Sequence, residues 1–383
     1  MKSFVKCIEK MYTENYSTEI SRLINEKVPG AYFSSASVDA ALKVVMDLKN
    51  NFNIDYLITI SPSVDAVENP QNVKIITMNE FHNIKNNVKF IFTAHELDYK
   101  LASIPITDGV KKILFTGLDN SKDAYRMFMQ NISSLHDVYE LLDDDESKQT
   151  FCGYLLAKVT NNLNYARFAN TPQYICNGFA PQAGDILIDG GSCDGSTASR
   201  LRGYGCKVYS FEMDKENFKL ASNLAKKNNF TVENLGLDSY NHKASYTHLA
   251  NNIGGSHISN AGEEYTEIVT LDSYVARNKL PRVDFIKLDV EGAELDVLRG
   301  AAASIIRWKP KLAISAYHKL DDLWTLTNFI KSIRPDYDFA VRHYGTSRED
   351  APYAISEELE NLFDSFGLNV TAINHGELVL FGK

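Results

Sequence analysis

The sequence predicts an α/β chain in two parts. A small Rossmann-like α/β domain is expected over residues 1–120, and a larger domain over 181–383 with a seven-stranded, doubly wound sheet. A helical connector, 121–180, joins them. Three observations carry this. Apolar runs of strand length alternate with polar helical stretches, the pattern of parallel strands covered on both faces. The buried run Ile186 to Ile188 is followed by a glycine turn, which lets a ligand lie against bare main chain. The next run ends in Glu212, about twenty residues beyond the glycines, the offset at which an acid on a neighbouring strand tip reaches a ribose diol.

Taken in order, Ile8, Met11, Tyr12, Ile20, Leu23 and Ile24 stripe the first segment at helical spacing. Ala31 to Phe33 then reads as a short strand, Ser34 to Ser37 as a turn, and Val38 to Asn50 as a helix. Strands follow at Tyr56 to Ile60, Val73 to Met78, Val88 to Ala94 and Lys112 to Thr116. The first turn, Phe33 to Ser37, has no glycine, so its backbone cannot approach a pyrophosphate. This domain is expected to lack a nucleotide and to present the acceptor or mediate assembly; sugar or partner docking is the functional alternative.

Tyr125, Met127, Phe128, Ile132, Leu135, Val138 and Leu141 recur at helical spacing in the connector. The acidic run Asp143 to Glu146 reads as a solvated helix boundary, Tyr154 to Arg167 as a second helix, and Thr171 to Tyr174 as the start of a loop. From Gly184 strands are expected at 185–189, 207–212 and 230–235, with a helix from Lys215 to Asn228. Then come a short extra strand, Glu267 to Leu271, the run Val283 to Val290, a helix from Ala293 to Trp308, and the run Lys311 to His318. Asp338 to Tyr344 and Glu377 to Phe381 complete the seven, with an insertion at 346–375 between them.

The composition excludes several classes. A net charge of −9 argues against a nucleic-acid partner, which demands a basic face. No run of about eighteen apolar residues exists to span a membrane. The charged N-terminus does not resemble a signal peptide. Five scattered cysteines without a C-x-x-C pair fit reduced thiols in a cytoplasm and exclude a zinc ribbon.

The glycine turn carries carboxylates at both ends, Asp189 and Asp194. These would repel a pyrophosphate but suit a cationic ligand with an amino group, such as the methionyl part of S-adenosylmethionine. A dinucleotide or a purely structural turn are the alternatives. The cofactor residues expected are Asp189, Gly190, Gly191, Asp194, Gly195, Ser196 and Thr197 at the turn, Glu212 and Met213 at the next strand tip, and Asp289. Asp238 could meet the adenine amine, or serve only as a turn aspartate.

Ile188 to Gly191 with Gly195 to Thr197, Phe211 and Glu212, Thr270 to Tyr274, and above all Ile286 to Glu294 resemble the FkbM family of S-adenosylmethionine-dependent methyltransferases. Ser315 to Lys319, Asp322 to Trp324 and Arg342 to Tyr344 look like its polysaccharide-associated branch. The resemblance covers residues 180–383. It implies a class I methyltransferase sheet and O-methylation of a hydroxyl, commonly on a sugar or polyketide, with a small-molecule or glycan acceptor. The family usually has Gly-Ala-Asn or similar after the acidic residue, where this chain has Gly191, Ser192, Cys193 and Asp194. A second class of reading is a catalytically inactive S-adenosylmethionine-binding or scaffold protein in glycan biosynthesis.

Charges in an apolar strand are costly unless paired or placed at the C-terminal tip, where ligands bind in such sheets. Lys287 and Asp289 share a face there, and Glu291 follows. Asp289 is expected to orient the acceptor or take its proton, against a reading in which it pairs structurally with Lys287. Glu294 is expected to stabilise a helix N-terminus. His318, on the same rim, titrates near neutrality and could take a hydroxyl proton, or could instead bond to Asp321 or Asp322. His343 is a further candidate of the same kind. No metal is expected; the alternative is a divalent ion held by Asp289, Glu291 and Asp321.

Overall fold

A computed structural model describes the chain except residues 1, 35–37, 51, 60–71, 78–79, 82, 84–86, 94–110, 115–117, 161, 163–164, 248–255, 259–261, 263 and 345–376. The expected turn at Ser35 to Ser37, the ends of three N-terminal strands (Ile60, Met78, Ala94), the strand end Phe115 to Thr116 and the insertion 346–375 lie outside the described residues. The chain divides into two compact units, one holding Met1–Gln130 and Cys152–Arg167, the other Asn131–Phe151, Phe168–Tyr344 and Gly376–Lys383.

The first unit opens with two helices, α1 (Lys2–Thr13) and α2 (Tyr16–Asn25). Asn15 separates them because its side chain caps α2, accepting the Thr18 N–H at 3.1 Å. Then come β1 (Gly30–Ser34), α3 (Val38–Lys49), β2 (Ile54–Thr59), β3 (Lys74–Thr77), β4 (Phe90–Thr93), β5 (Lys111–Leu114) and α4 (Leu118–Gln130). All four strand pairings are parallel, in the order β3-β2-β1-β4-β5. Tyr32, Val45, Leu57, Phe90 and Phe92 fill the core against α3. Gly30 leaves room for the Phe90 ring, which a Cβ would meet at 2.2 Å.

In the second unit, α5 (Ile132–Leu141) precedes α6 (Asp145–Thr160), which runs on into the first. The connector helices are therefore divided between the units. The expected helix Tyr154 to Arg167 begins earlier because Asp144 caps it, accepting the Ser147 N–H at 2.6 Å, and it ends at Thr160. The acidic run is only partly solvated: Arg342 lies 3.2 Å from Asp144 and 3.0 Å from Glu146.

The second unit then contains β6 (Ile186–Gly190), α7 (Ser196–Arg202), β7 (Lys207–Phe211), α8 (Lys215–Asn228), β8 (Thr231–Glu233), β9 (Gly236–Leu237), β10 (His242–Thr247), β11 (His257–Ile258) and β12 (Glu264–Val269). It continues with α9 (Leu271–Arg277), β13 (Phe285–Leu288), α10 (Glu294–Gly300), α11 (Ala302–Trp308), β14 (Lys311–Ser315), α12 (Asp322–Ile333), β15 (Phe339–His343) and β16 (Leu378–Gly382). Seven strands form one mixed sheet in the order β15-β16-β14-β13-β6-β7-β8. Only β16 runs antiparallel to its neighbours. All seven expected strands are in it, most of them shorter than expected, with β6 and β16 shifted one residue towards the C-terminus. The extra strand belongs to a separate four-stranded sheet, β11-β10-β12-β9, and ends at Val269 because Thr270 caps α9. The single helix expected from Ala293 to Trp308 is two. Gly300 packs so closely on the Asp238 carbonyl that a Cβ would lie 2.1 Å from it, and Ala301 leaves helical geometry with φ −109°.

Candidate functional site

Past the C-terminal ends of β6, β7 and β13 lies a cavity of about 330 Å³. Its wall is Gly191 and Cys193 from the β6 turn, Glu212 and Met213 after β7, Asp238 after β9, and Asp289 to Ala293 after β13. Leu235, Leu237 and Ile258 give it an apolar side.

The turn is shaped by main-chain crowding. Gly191 has φ +76°, and a Cβ there would stand 1.7 Å from the Asp289 carbonyl oxygen, so only glycine fits. Cys193 donates its N–H to Glu212 Oε2 at 2.7 Å, and the Asp214 N–H meets Oε1 at 2.8 Å. Burial raises the Glu212 carboxyl to about 7 despite these two bonds. Asp194 turns away from the cavity to accept the Ser196 N–H at 2.9 Å, and Gly195 begins α7 with φ +84°. Gly190, Asp194, Gly195, Ser196 and Thr197 do not line the cavity.

Asp189 is placed otherwise than the sequence suggests. Fully buried, it faces Lys287 across the β6–β13 register, with Nζ 3.0 Å from Oδ1, and accepts the Ser210 hydroxyl at 2.6 Å. It does not line the cavity. Lys287 is equally buried and donates to the carbonyls of Gly191 at 2.6 Å and Gly190 at 3.3 Å. Burial opposes its charge, yet Asp189 and Asp289 hold the ammonium above the ordinary lysine value. The strand's ion pair is Lys287 with Asp189, and Lys287 has no face on the cavity.

Asp289 does open onto the cavity. The Tyr174 hydroxyl donates to its Oδ2 at 2.7 Å and the Tyr317 hydroxyl to Oδ1 at 3.3 Å. Burial works to raise this carboxyl, but Lys287, His318 and Tyr174 outweigh it and hold the group below the usual aspartate range. Burial and the Asp289 charge push both phenols well above their ordinary value. Glu291, with φ +53°, lines the cavity and is raised to about 7, first by burial and then by Asp289 and Glu294.

His318 stands behind these acids. Its Nε2 is 3.6 Å from Asp289 Oδ1 and 3.5 Å from Glu291 Oε2, and Nδ1 is 2.9 Å from Glu294 Oε1. Burial disfavours its charge, but Glu294, Asp289 and Glu291 raise it to about 9. These neighbours favour its protonated form, and its nearest acidic partner is Glu294, 2.9 Å from Nδ1, rather than Asp321 or Asp322. Glu294 is in the first turn of α10, where it accepts the Val290 N–H at 2.9 Å. Asp322 accepts the Lys319 N–H at 2.7 Å. His343 is buried against Phe168, ring centroids 4.6 Å apart, and does not line the cavity. Asp238 lines it while also accepting the Ser239 N–H at 2.5 Å.

Tyr174 and Tyr317 were not singled out by the sequence. Tyr317 neighbours His318 and follows a strand, which is a usable signal. Tyr174 adopts φ +63° in a loop far along the chain, and nothing local marks it.

Residues 189–341 match the family described as Methyltransferase FkbM domain. Among solved structures, the FkbM methyltransferase of Methylobacillus flagellatus KT is 19% identical, with a TM-score of 0.67 covering 100% of this chain and 98% of that one. The precorrin-6y C5,15-methyltransferase of Geobacter metallireducens GS-15 is 11% identical, with a TM-score of 0.32 covering 57% of this chain and 94% of that one. No curated protein matches the sequence. The domain match supports a methyltransferase, and the first of these structures shares the chain's fold.

Proposed function

We propose that the chain is an S-adenosylmethionine-dependent O-methyltransferase acting on a hydroxyl of a sugar, glycan or related metabolite, with its seven-stranded sheet of the class I type. The observation that carries this is Glu212, at the tip of β7, bonded to the Cys193 N–H of the glycine turn and lining a cavity that Asp289 and Glu291 also line. The residues present fit the cofactor. The bare Gly191 backbone leaves room for close approach, the Glu212 carboxylate suits a ribose diol, and Leu235, Leu237 and Ile258 suit a flat base. Asp238 stands where it can meet an exocyclic amine. When bound, the cofactor supplies a methyl group on a sulfonium that is already a good leaving group.

The protein's part is to orient the acceptor and remove its proton. Asp289, steadied by two tyrosine hydroxyls, accepts a hydrogen bond from the acceptor hydroxyl. Glu291 takes the proton, because its carboxylate opens on the cavity whereas the His318 ring stands behind it. The cationic His318 beside Glu291 and Asp289 offsets their charge. The N-terminal unit presents the acceptor or mediates assembly.

Two measurements test the proposal. Calorimetry should show S-adenosylmethionine binding. Labelled cofactor mixed with fractionated cell glycans should pass label to a hydroxyl-bearing fraction, with release of S-adenosylhomocysteine. Tight dinucleotide binding without S-adenosylmethionine binding sinks the cofactor assignment; binding without transfer to any fraction favours the inactive scaffold.

A further inference from the structure

Behind the cavity rim stands a group of side chains that positioning and proton removal do not fully employ. Asp289, Glu294 and His318 each offer one ligand atom, all within 4.8 Å of one another. We propose that these three side chains form a binding site for a divalent transition-metal ion beside the cavity.

The polar atoms of this cluster are left incompletely satisfied. The His318 side chain is only 10% exposed, and both ring nitrogens lie near carboxylates. Yet neither nitrogen makes an aligned hydrogen bond, so even the 2.9 Å approach to Glu294 is off the N–H axis. Glu294 is fully buried and uses one oxygen, Oε1, to accept the Val290 and Gly292 N–H groups at 2.9 and 3.4 Å. Its other oxygen, Oε2, is buried with no hydrogen-bond partner. A cation shared among the three would satisfy what backbone and side-chain donors leave open.

The geometry requires little adjustment. Opposite ligands in a shell of ~2.1 Å bonds stand at most ~4.2 Å apart, so the cluster closes on an ion with less than about an ångström of side-chain movement. Its ligands stand on ordered elements: Asp289 follows β13, His318 follows β14, and Glu294 is in α10. Because Asp289 also lines the cavity, an ion there keeps open positions towards an acceptor oxygen. One imidazole with two carboxylates suits Zn²⁺ or Mn²⁺ rather than Mg²⁺ or Ca²⁺, which favour oxygen-only shells. The competing occupant is a proton on His318.

The test uses the full chain, stripped with a chelator and titrated with Mn²⁺ at pH about 8, where ligand protons are more readily released. Loss of the free Mn²⁺ paramagnetic resonance signal reports binding. One Mn²⁺ per chain is expected, displaced by Zn²⁺ and not by equal Mg²⁺. His318→Gln and Glu294→Gln should each weaken binding at least ~10-fold. S-adenosylmethionine calorimetry on the same samples reports whether each variant is folded, and tests the cofactor reading separately. Should either variant fail to fold, Asp289→Asn and the wild-type stoichiometry decide. No uptake by the wild type, undiminished uptake in the folded variants, or displacement by Mg²⁺ as readily as by Zn²⁺ overturns the proposal.

Discussion

Replacing Lys287 by Met should unfold the second unit more than any exposed charge change. The side chain is 2% exposed, and its ammonium meets Asp189 Oδ1 at 3.0 Å. Without it, a carboxylate that is 0% exposed keeps only the Ser210 hydroxyl as a hydrogen-bond donor. Leaving one member of a buried pair uncompensated costs about 3–5 kcal/mol. At about 2–4 °C per kcal/mol for a domain of roughly 150–250 residues, Tm should fall by about 6–20 °C. The carbonyls of Gly190 and Gly191 lose their donor at the same time, so the turn loosens and cofactor affinity drops. The assay is thermal and urea unfolding of Lys287→Met, Asp189→Asn and the double variant, with calorimetry of cofactor binding. The double variant removes both charges, so it should be markedly more stable than the sum of the singles implies. A Lys287→Met protein within about 1 kcal/mol of wild type, outside the range for a broken buried pair, would refute the reasoning.

Glu212 should make cofactor binding depend on pH. Its folded value of about 7 lies above the ordinary glutamic value of 4.5, so the ligand-free fold holds a proton that the unfolded chain releases earlier. The stability this contributes is complete below the unfolded value and is lost as pH rises through about 7. A diol donates to the ionised form, so affinity for S-adenosylmethionine should climb across the same window, and calorimetry at several pH values will show a flat profile if the assignment is mistaken. Glu212→Gln should remove that climb and weaken binding by about 1.5–3 kcal/mol. Tyr174→Phe deletes the 2.7 Å donor to Asp289. Loss of about 1–3 kcal/mol in urea unfolding is expected, with turnover lowered and cofactor affinity held; unchanged turnover would remove Tyr174 from the positioning role.

The strands were readable because the five- and seven-stranded sheets are mostly parallel, which forces continuous apolar runs such as Ile186 to Ile188 and Phe285 to Leu288. Element ends were less readable: Thr270, capping α9, closes β12 at Val269, and Asp144, capping α6, starts that helix nine residues before the expected Tyr154. Gly300 broke a helix through contact with Asp238, sixty-two positions earlier, which no local pattern encodes. At the site, Glu212, Asp289 and Glu291 followed from lying at strand tips. At Asp189, where the sequence suggests a ligand contact, the fold sets Lys287 opposite in register, with its buried ammonium 3.0 Å from the carboxylate. The elevated value of His318 depends on Glu294, whose position only the fold reveals.

The placement of β16 has a bearing on how the large sheet assembles in time. It lies between β14 and β15, bringing Gly382 opposite Leu312 and Val379 opposite Ser315. Strands β6, β7 and β8 are neighbours in both sequence and space, joined by single helical crossovers through α7 and α8. Closure over the long separation that β16 requires is entropically slower. Until that strand docks, β14 presents an unpaired apolar edge and β15 has no partner in the sheet. The half of the sheet around β6, β7 and β8 is therefore expected to form first and β16 to dock late.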